Sequence, residues 1–315
     1  MIPLAEIRAA RERIQEAVLR TPLVLLQLPE APAEIYLKLE NLQPIGSFKL
    51  RGALNAIKQI PRTELAEGVV TASAGNMGQG VAWAARELGV PCTVVVPESA
   101  AETKLAAIER LGGKVEKVPY ERWWDAIATS STPVASGRFV HPVEDESVMA
   151  GNGTIGIEIL EDLPDPDAIL VPFGGGGLSV GIASAVRALN SETRVFAVEP
   201  EPAAPLTASL AAGEPREVAG TPSFVDGSGA PRLLPKMWPL AREALDGAFA
   251  VPIDDAAAAV RLLVDRARIV AEGAGALALA AALAGRGGNG KVVCVVSGGN
   301  IDEAKLRTIL AGGTP

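Results

Sequence analysis

Apolar residues in this chain gather into short continuous runs separated by polar, glycine- and proline-bearing punctuation. Ile35–Leu39, Val69–Ala72, Thr93–Val96, Ala168–Val171, Val195–Val198 and Val292–Val296 are rich in Val, Ile and Leu. Runs without alternation predict strands buried on both faces, the mark of parallel sheets. Several lead through glycine into alanine-rich stretches of helical period, such as Gln79–Leu88 and Leu178–Leu189. Phe48–Ile60 also reads as helix, with Ser47 as its N-cap. Ile2–Leu19, which carries Glu6, Arg8, Arg11, Glu12, Arg13 and Glu16, reads as an amphipathic helix. Strands alternating with helices imply an α/β fold of open, twisted, mainly parallel sheets with helices on both faces. Ligands of such sheets bind beyond the carboxyl ends of the strands. Pro119–Val143 lacks sustained periodicity, is broken by Ser130, Ser131, Thr132 and Pro133, and is where a crossover between domains is expected.

The 315 residues correspond to about two domains. With 48% apolar and 21% charged residues a sizeable core forms, which excludes global disorder. Lys and Arg number 29 against 37 Asp and Glu, and the basic residues are dispersed. No basic stripe is available to displace the counterions of a nucleic acid, so no nucleic-acid partner is expected. A single histidine, His141, excludes zinc sites built on paired histidines. Cys92 and Cys294 lie in valine-rich runs and read as inert buried thiols, compatible with a reducing compartment. The N-terminus has no signal-peptide core, and Gly273–Gly285 is shorter than the ~20 residues of a membrane span. No membrane partner and a cytoplasmic location are therefore expected.

Four strand-end segments carry unusual residues. In Asn41-Leu-Gln-Pro-Ile-Gly-Ser-Phe-Lys49-Leu-Arg51-Gly52, Lys49 falls in a first helical turn, where the helix dipole opposes its charge. Beside Phe48 and Ile45 its pKa would drop, making it a nucleophile or base; it also reads as an ordinary solvated lysine. Ser73-Ala74-Gly75-Asn76-Met77-Gly78 joins a strand to a helix and exposes N–H groups suited to a carboxylate or phosphate, or forms a plain turn. Gly174-Gly175-Gly176-Gly177-Leu178 sits at a similar junction. Four successive glycines cost chain entropy unless the backbone must approach something closely, for which a phosphate is suited. A Walker loop is excluded, and the dinucleotide fingerprint fails because Ser179 or Val180 stands in place of its third glycine. Glu199, ending the next strand as a ribose-binding acid would, leaves a nucleotide site open. Finally, Ser297-Gly298-Gly299-Asn300 sets a hydroxyl at a strand terminus, where it can meet a ring nitrogen or simply form a turn.

Together these motifs resemble, in order, those of the fold-type II pyridoxal-phosphate enzymes, and within them the serine/threonine dehydratases and serine racemases. Arg20-Thr-Pro-Leu23, Lys38-Leu-Glu40-Asn41, His141-Pro142, Ala150-Gly-Asn-Gly-Thr154 and Glu272-Gly-Ala-Gly-Ala276 extend the likeness from about residue 20 to 303. The resemblance implies a tryptophan synthase β-like fold, with residues 1–43 and 144–315 as a large cofactor-binding domain and 44–143 as a small mobile one. It implies pyridoxal 5'-phosphate held covalently by Lys49. Phe48 and Asn76 would flank its ring, Gly174, Gly175, Gly176, Gly177 and Leu178 would hold its phosphate, and Ser297 would face its pyridine nitrogen. Ser73, Ala74, Gly75, Asn76 and Met77 would form the substrate-binding loop. The implied reaction is dehydrative deamination of a β-hydroxy amino acid to a 2-oxo acid and ammonia, by a homodimer. A β-replacement enzyme and a non-catalytic nucleotide binder are the alternatives.

Departures from the family pattern carry their own expectations. Met77 replaces the usual His of the loop, which opens the site to a larger or less polar substrate. Ala74 replaces the racemases' second serine, which favours elimination. Pro205 stands where some relatives place a carboxylate ligand, so no metal is expected at Glu199 and Ala203. The sequence ends at Pro315, soon after Glu303, so a C-terminal regulatory domain with isoleucine feedback is not expected. His141 is expected to be a structural hydrogen-bonder; Trp123 and Trp124 read either as lining a substrate entrance or as packing against the small domain, and packing is the preferred reading. Asp226 reads as an active-site loop residue or a turn residue, and Gly229–Trp238 as a segment that shapes the pocket.

Overall fold

The structure, a computed structural model, describes every residue except Ser191. Ten strands occur among the described residues: β1 (Leu23–Leu25), β2 (Glu34–Leu39), β3 (Val69–Ala72), β4 (Cys92–Pro97), β5 (Lys114–Val118), β6 (Arg138–Phe139), β7 (Ala168–Pro172), β8 (Arg194–Pro200), β9 (Gly247–Val251) and β10 (Lys291–Val296). They form a six-stranded sheet in the order β1-β2-β10-β7-β8-β9 and a four-stranded one in the order β5-β4-β3-β6. Only β1 pairs antiparallel; every other pairing is parallel. The six strands expected from sequence are all interior strands. The four it missed, β1, β5, β6 and β9, are the edges. Interior strands are apolar on both sides, whereas an edge such as Lys114-Val-Glu-Lys-Val118 alternates or is very short.

The helices are α1 (Leu4–Ile14), α2 (Lys49–Lys58), α3 (Asn76–Leu88), α4 (Glu102–Arg110), α5 (Tyr120–Thr129) and α6 (Glu146–Asp162). They continue with α7 (Gly177–Leu189), α8 (Pro205–Ala212), α9 (Met237–Ala244), α10 (Ile253–Leu262), α11 (Gly273–Leu283) and α12 (Glu303–Leu310). Alternate residues of the larger sheet face α1, α6, α7 and α9 on one side and α10, α11 and α12 on the other. The smaller sheet packs against α2, α3 and α4 on one face and α5 on the other. The segment read as aperiodic thus holds α5 and β6. Its ten-residue helix is ended by Ser130, whose φ of 53° breaks the run. The chain leaves the smaller sheet at Phe139 and joins α6 at Glu146, so the crossover falls at the end of that segment.

One helix joins the two sheets. A Cβ on Gly151 of α6 would come 2.5 Å from the Arg51 carbonyl, and one on Gly80 of α3 would come 3.1 Å from that of Lys49, so α2 is flanked closely on both sides. Arg51, 1% exposed, donates to Glu40 at 2.8 Å and to Glu158 at 2.6 Å, while Lys38 donates to Glu158 at 2.6 Å. A buried network of four charges adds little net stability but tolerates one geometry, because losing any partner strands a charge. It locks α2 to β2 and α6.

Candidate active site

The end of β10 is laced to the turn before α2. The Phe48 N–H donates to the Ser297 carbonyl at 3.0 Å, the Gly299 N–H to Gly46 at 2.9 Å, and Asn300 Nδ2 to Ile45 at 2.9 Å. Ser47 is not the N-cap expected of it. It bridges Gly298, is fully buried, and its hydroxyl finds no partner, because pairing with the strand end turns it away from the helix. The helix begins at Lys49 without a side-chain cap.

Lys49 Nζ donates to the Pro142 carbonyl at 3.3 Å and lies 5.0 Å from the Phe48 ring centre. Burial pulls its pKa down to about 8, against the opposing pull of the Glu272 carboxylate. Glu272 itself is pushed up to about 7, mainly by burial and then by Asp226. Its Oε1 accepts from Asn76 Nδ2 at 2.7 Å, and Asn76 Oδ1 accepts from Asn300 Nδ2 at 2.8 Å. The chain Asn300–Asn76–Glu272 fixes which way the Asn76 amide points. A side chain on Gly298 would collide with both Glu272 and Asn76, so the glycine makes room for this contact. Glu272 carries no role in the sequence reading; the signal was a lone acid heading the wholly apolar helix α11.

Two clusters of unpaired backbone donors face the same cleft. Among the described residues, the N–H groups of Gly174 to Leu178 have no protein acceptor, nor do those of Ala74, Asn76, Met77 and Gly78. Each cluster opens a 13-residue helix, α7 or α3, whose dipole adds to its affinity for an anion. Gly176 adopts φ +97°, and a Cβ on Gly174 would lie 2.7 Å from the Gly227 carbonyl. The protein's own packing, as well as any ligand, therefore requires glycine there. Asn152 Nδ2 steadies the cluster by donating to the Gly177 carbonyl at 3.3 Å. Ser297, 3% exposed, also lines the cleft, and among the described residues its hydroxyl makes no hydrogen bond. The cleft holds about 400 Å³ and brings Phe48, Lys49, Ser73–Met77, Gly174–Leu178 and Ser297 together. Two roomier depressions, of about 660 and 870 Å³, lie elsewhere and gather none of these groups.

Other expectations meet different fates. Met77 borders the cleft, but it is 2% exposed and belongs to the apolar cluster of the smaller sheet, which claims its side chain. Trp123 lines the cleft instead of only packing, while Trp124 lies under the Arg232 guanidinium at 5.1 Å. No residue of 229–238 lines the cleft. Asp226 does, in a 3₁₀ turn, pairing with Lys104 of α4 at 2.6 Å across the cleft. His141 is structural: Nε2 meets the Ile127 carbonyl at 3.1 Å and Nδ1 accepts from Val143 and Glu144. Glu199 is spent on the start of α8, accepting from Leu206 N, Thr207 N and Thr207 Oγ1 at 2.7–2.9 Å, which removes the acid that a nucleotide site needed. Cys92 and Cys294 are free and buried, and burial raises both thiol pKa values, that of Cys92 to about 12. No helix among the described residues is long and apolar enough to cross a membrane.

Comparison with known proteins bears on the same residues. The family described as pyridoxal-phosphate dependent enzymes matches residues 14–298. The L-threonine ammonia-lyase of Thermotoga maritima is 41% identical over 318 aligned positions, covering 99% of this chain and 79% of that protein. The structure of maize serine racemase superposes with a TM-score of 0.90 at 31% identity, covering 98% of this chain and 97% of that one. The T.th. threonine deaminase superposes with a TM-score of 0.88 at 36% identity, covering 95% of this chain and 99% of that one. A match of this length, over a fold of two mainly parallel sheets with Lys49 in the cleft between them, makes the chain a member of the pyridoxal-phosphate dependent enzymes.

Proposed function

We propose that this chain is an ammonia-lyase of β-hydroxy amino acids, threonine or serine, which eliminates the hydroxyl as water and, after hydrolysis, releases a 2-oxo acid and ammonia. The observation that carries the reading is a lysine amine that lines one cleft with two clusters of unpaired N–H groups. The Thermotoga ammonia-lyase and the T.th. threonine deaminase, 41% and 36% identical over nearly the whole chain, support the choice of reaction.

The free groups of the cleft suit the cofactor. Lys49 would hold its aldehyde carbon, the N–H groups of Gly174 to Leu178 its phosphate, and the unpaired Ser297 hydroxyl its ring nitrogen. Phe48 and Asn76 would flank the ring. Bound there, the cofactor supplies an electron sink for the carbon that loses its proton. Ser73 and the free N–H groups of Ala74, Asn76 and Met77 receive the substrate carboxylate and fix which bond faces Lys49. Once the substrate's own amine has taken its place, the freed Lys49 amine, largely neutral above pH 8, would take the proton from the substrate Cα. Glu272, poised near pH 7 beside Asn76, can hold or yield a proton at the same centre. Ser297, being neutral, leaves the ring nitrogen without a charged partner, which favours elimination over transamination. Ala74 presents a methyl group with no proton to deliver, which favours elimination over racemisation.

Residues 1–43 with 144–315 and residues 44–143 act as two lobes about the cleft, with Arg51 tying α2 to the larger. The chain works as a cytoplasmic homodimer, a reading supported by the family resemblance and the free buried thiols. Cofactor-loaded protein should release 2-oxobutyrate from L-threonine, and borohydride reduction with peptide mapping should label Lys49. Turnover surviving in Lys49→Ala, or a label on another lysine, would overturn the assignment.

A further inference from the structure

The cleft has two chemically unlike walls. The larger sheet contributes glycine amides, Ser297 and Glu272. The smaller sheet contributes its carboxyl edge, where the order β5-β4-β3-β6 sets the ends of β4 and β6 on either side of β3. Pro97 ends β4, Ala74 and Pro142 follow β3 and β6, and all three line the cleft; the turn after β3 and the start of α3 also bring the polar Ser73, Asn76 and Gln79, and α5 adds Trp123 and Ile127. This wall is held from behind. Trp123 packs at a tilt against Tyr120 and Trp124 with ring centres 5.6 and 6.3 Å apart, and the Ile127 carbonyl takes the bond from His141 Nε2 at 3.1 Å. It also begins next to the reacting amine, because Lys49 Nζ is 3.3 Å from the Pro142 carbonyl. Indole and proline thus line the same cleft as the Lys49 amine. The one polar atom Trp123 brings, its buried indole N–H, has no acceptor in the protein. The cation on this side, Lys104, is paired with Asp226.

We infer that Trp123, with Ile127 and Pro142, forms the side-chain subsite of this centre, and that Trp123 sets a preference for uncharged amino acids bearing a carbon chain at Cβ, up to and beyond the methyl group of threonine. The inference builds on the ammonia-lyase reading, and its test separates the two. L-Alanine, L-2-aminobutyrate and L-norvaline lack a leaving group, so their dissociation constants, read from the absorption of the cofactor-loaded protein, report binding alone. Each added methylene should tighten binding about fourfold in the native protein. The gradient should persist in Trp123→Phe and flatten to within about twofold in Trp123→Ala, where the threonine-over-serine ratio of kcat/KM should fall by a similar factor. A flat series in the native protein, or an unchanged gradient in Trp123→Ala, overturns the subsite; if that variant does not fold, the native series decides. A steep gradient with no 2-oxo acid from either hydroxy amino acid leaves the subsite standing and defeats the ammonia-lyase reading. Deamination of both without a gradient does the reverse.

Discussion

The two strand-to-helix turns of the cleft have the same parts and different mechanics. At Gly174–Leu178 every N–H is unpaired among the described residues, yet the backbone is walled in: Val143, Gly227 and Phe173 leave the glycines no space for a side chain, and Asn152 braces the Gly177 carbonyl. At Ser73–Gly78 the turn is open at Gly75 but tight at Gly78, where a Cβ would collide with the Ser73 carbonyl. A Cβ on Gly75 would meet nothing within 4 Å, and one N–H is already taken by Ser73 Oγ at 3.2 Å. A rigid, fully vacant set of donors suits a group that stays, because its ordering cost is met during folding. An open set suits a carboxylate that arrives and leaves with each turnover. The contrast teaches that two clusters of free amides of one type can differ in packing, and under the proposed function that difference would divide them between cofactor and substrate.

Substitutions can break or sharpen that contrast. The largest effect is expected of Gly174→Ala, whose methyl would press on the Gly227 carbonyl at 2.7 Å, a backbone atom that cannot yield. Cofactor affinity should fall on the order of 100-fold by absorbance titration, the value of about two charge-assisted hydrogen bonds. Next is Glu272→Gln. Glu272 has a raised pKa when folded, so the cofactor-free protein loses stability as pH rises from 4.5 through about 7. The variant should lack that slope and gain about 3 kcal/mol at pH 8, read by denaturant unfolding at several pH values. A parallel slope in both proteins would show that Glu272 is solvated. Third, Lys49 should capture the cofactor about tenfold faster at pH 9 than at pH 7 and level off above its pKa of about 8. A rate still climbing toward pH 10.5 would mark an ordinary lysine. The smallest effect is expected of Gly75→Ala, with stability unchanged within about 0.5 kcal/mol while the KM for the amino acid shifts. A large loss of stability there would erase the distinction between the two turns.

What was legible in the sequence follows the same physics. Interior strands announce themselves because both faces are buried, so all six appear as apolar runs, while β1, β5, β6 and β9 lie at edges where the pattern is diluted. Glycine turns at strand ends were legible because they break that pattern. Glu272 was overlooked because a carboxylate at the head of an apolar helix looks like an ordinary helix start until the fold buries it beside Asn76. Ser47 misled for the converse reason: a good capping residue was claimed by a strand end near the far end of the chain. Trp123 and Trp124 are neighbours in sequence with equal hydrophobicity, yet one faces the cleft and the other meets Arg232.

The order of the interior strands and the excluded function classes were written in local pattern, because hydrophobic period, turn chemistry and charge act over a few residues; Lys49 stood out only through the family likeness of the motifs taken together. Which carboxylate sits beside that lysine, which way the Asn76 amide points, and which turn is rigid and which open were decided only in three dimensions. Those properties depend on burial and on contacts between residues far apart in the chain, where desolvation moves a pKa and a single carbonyl forbids a side chain.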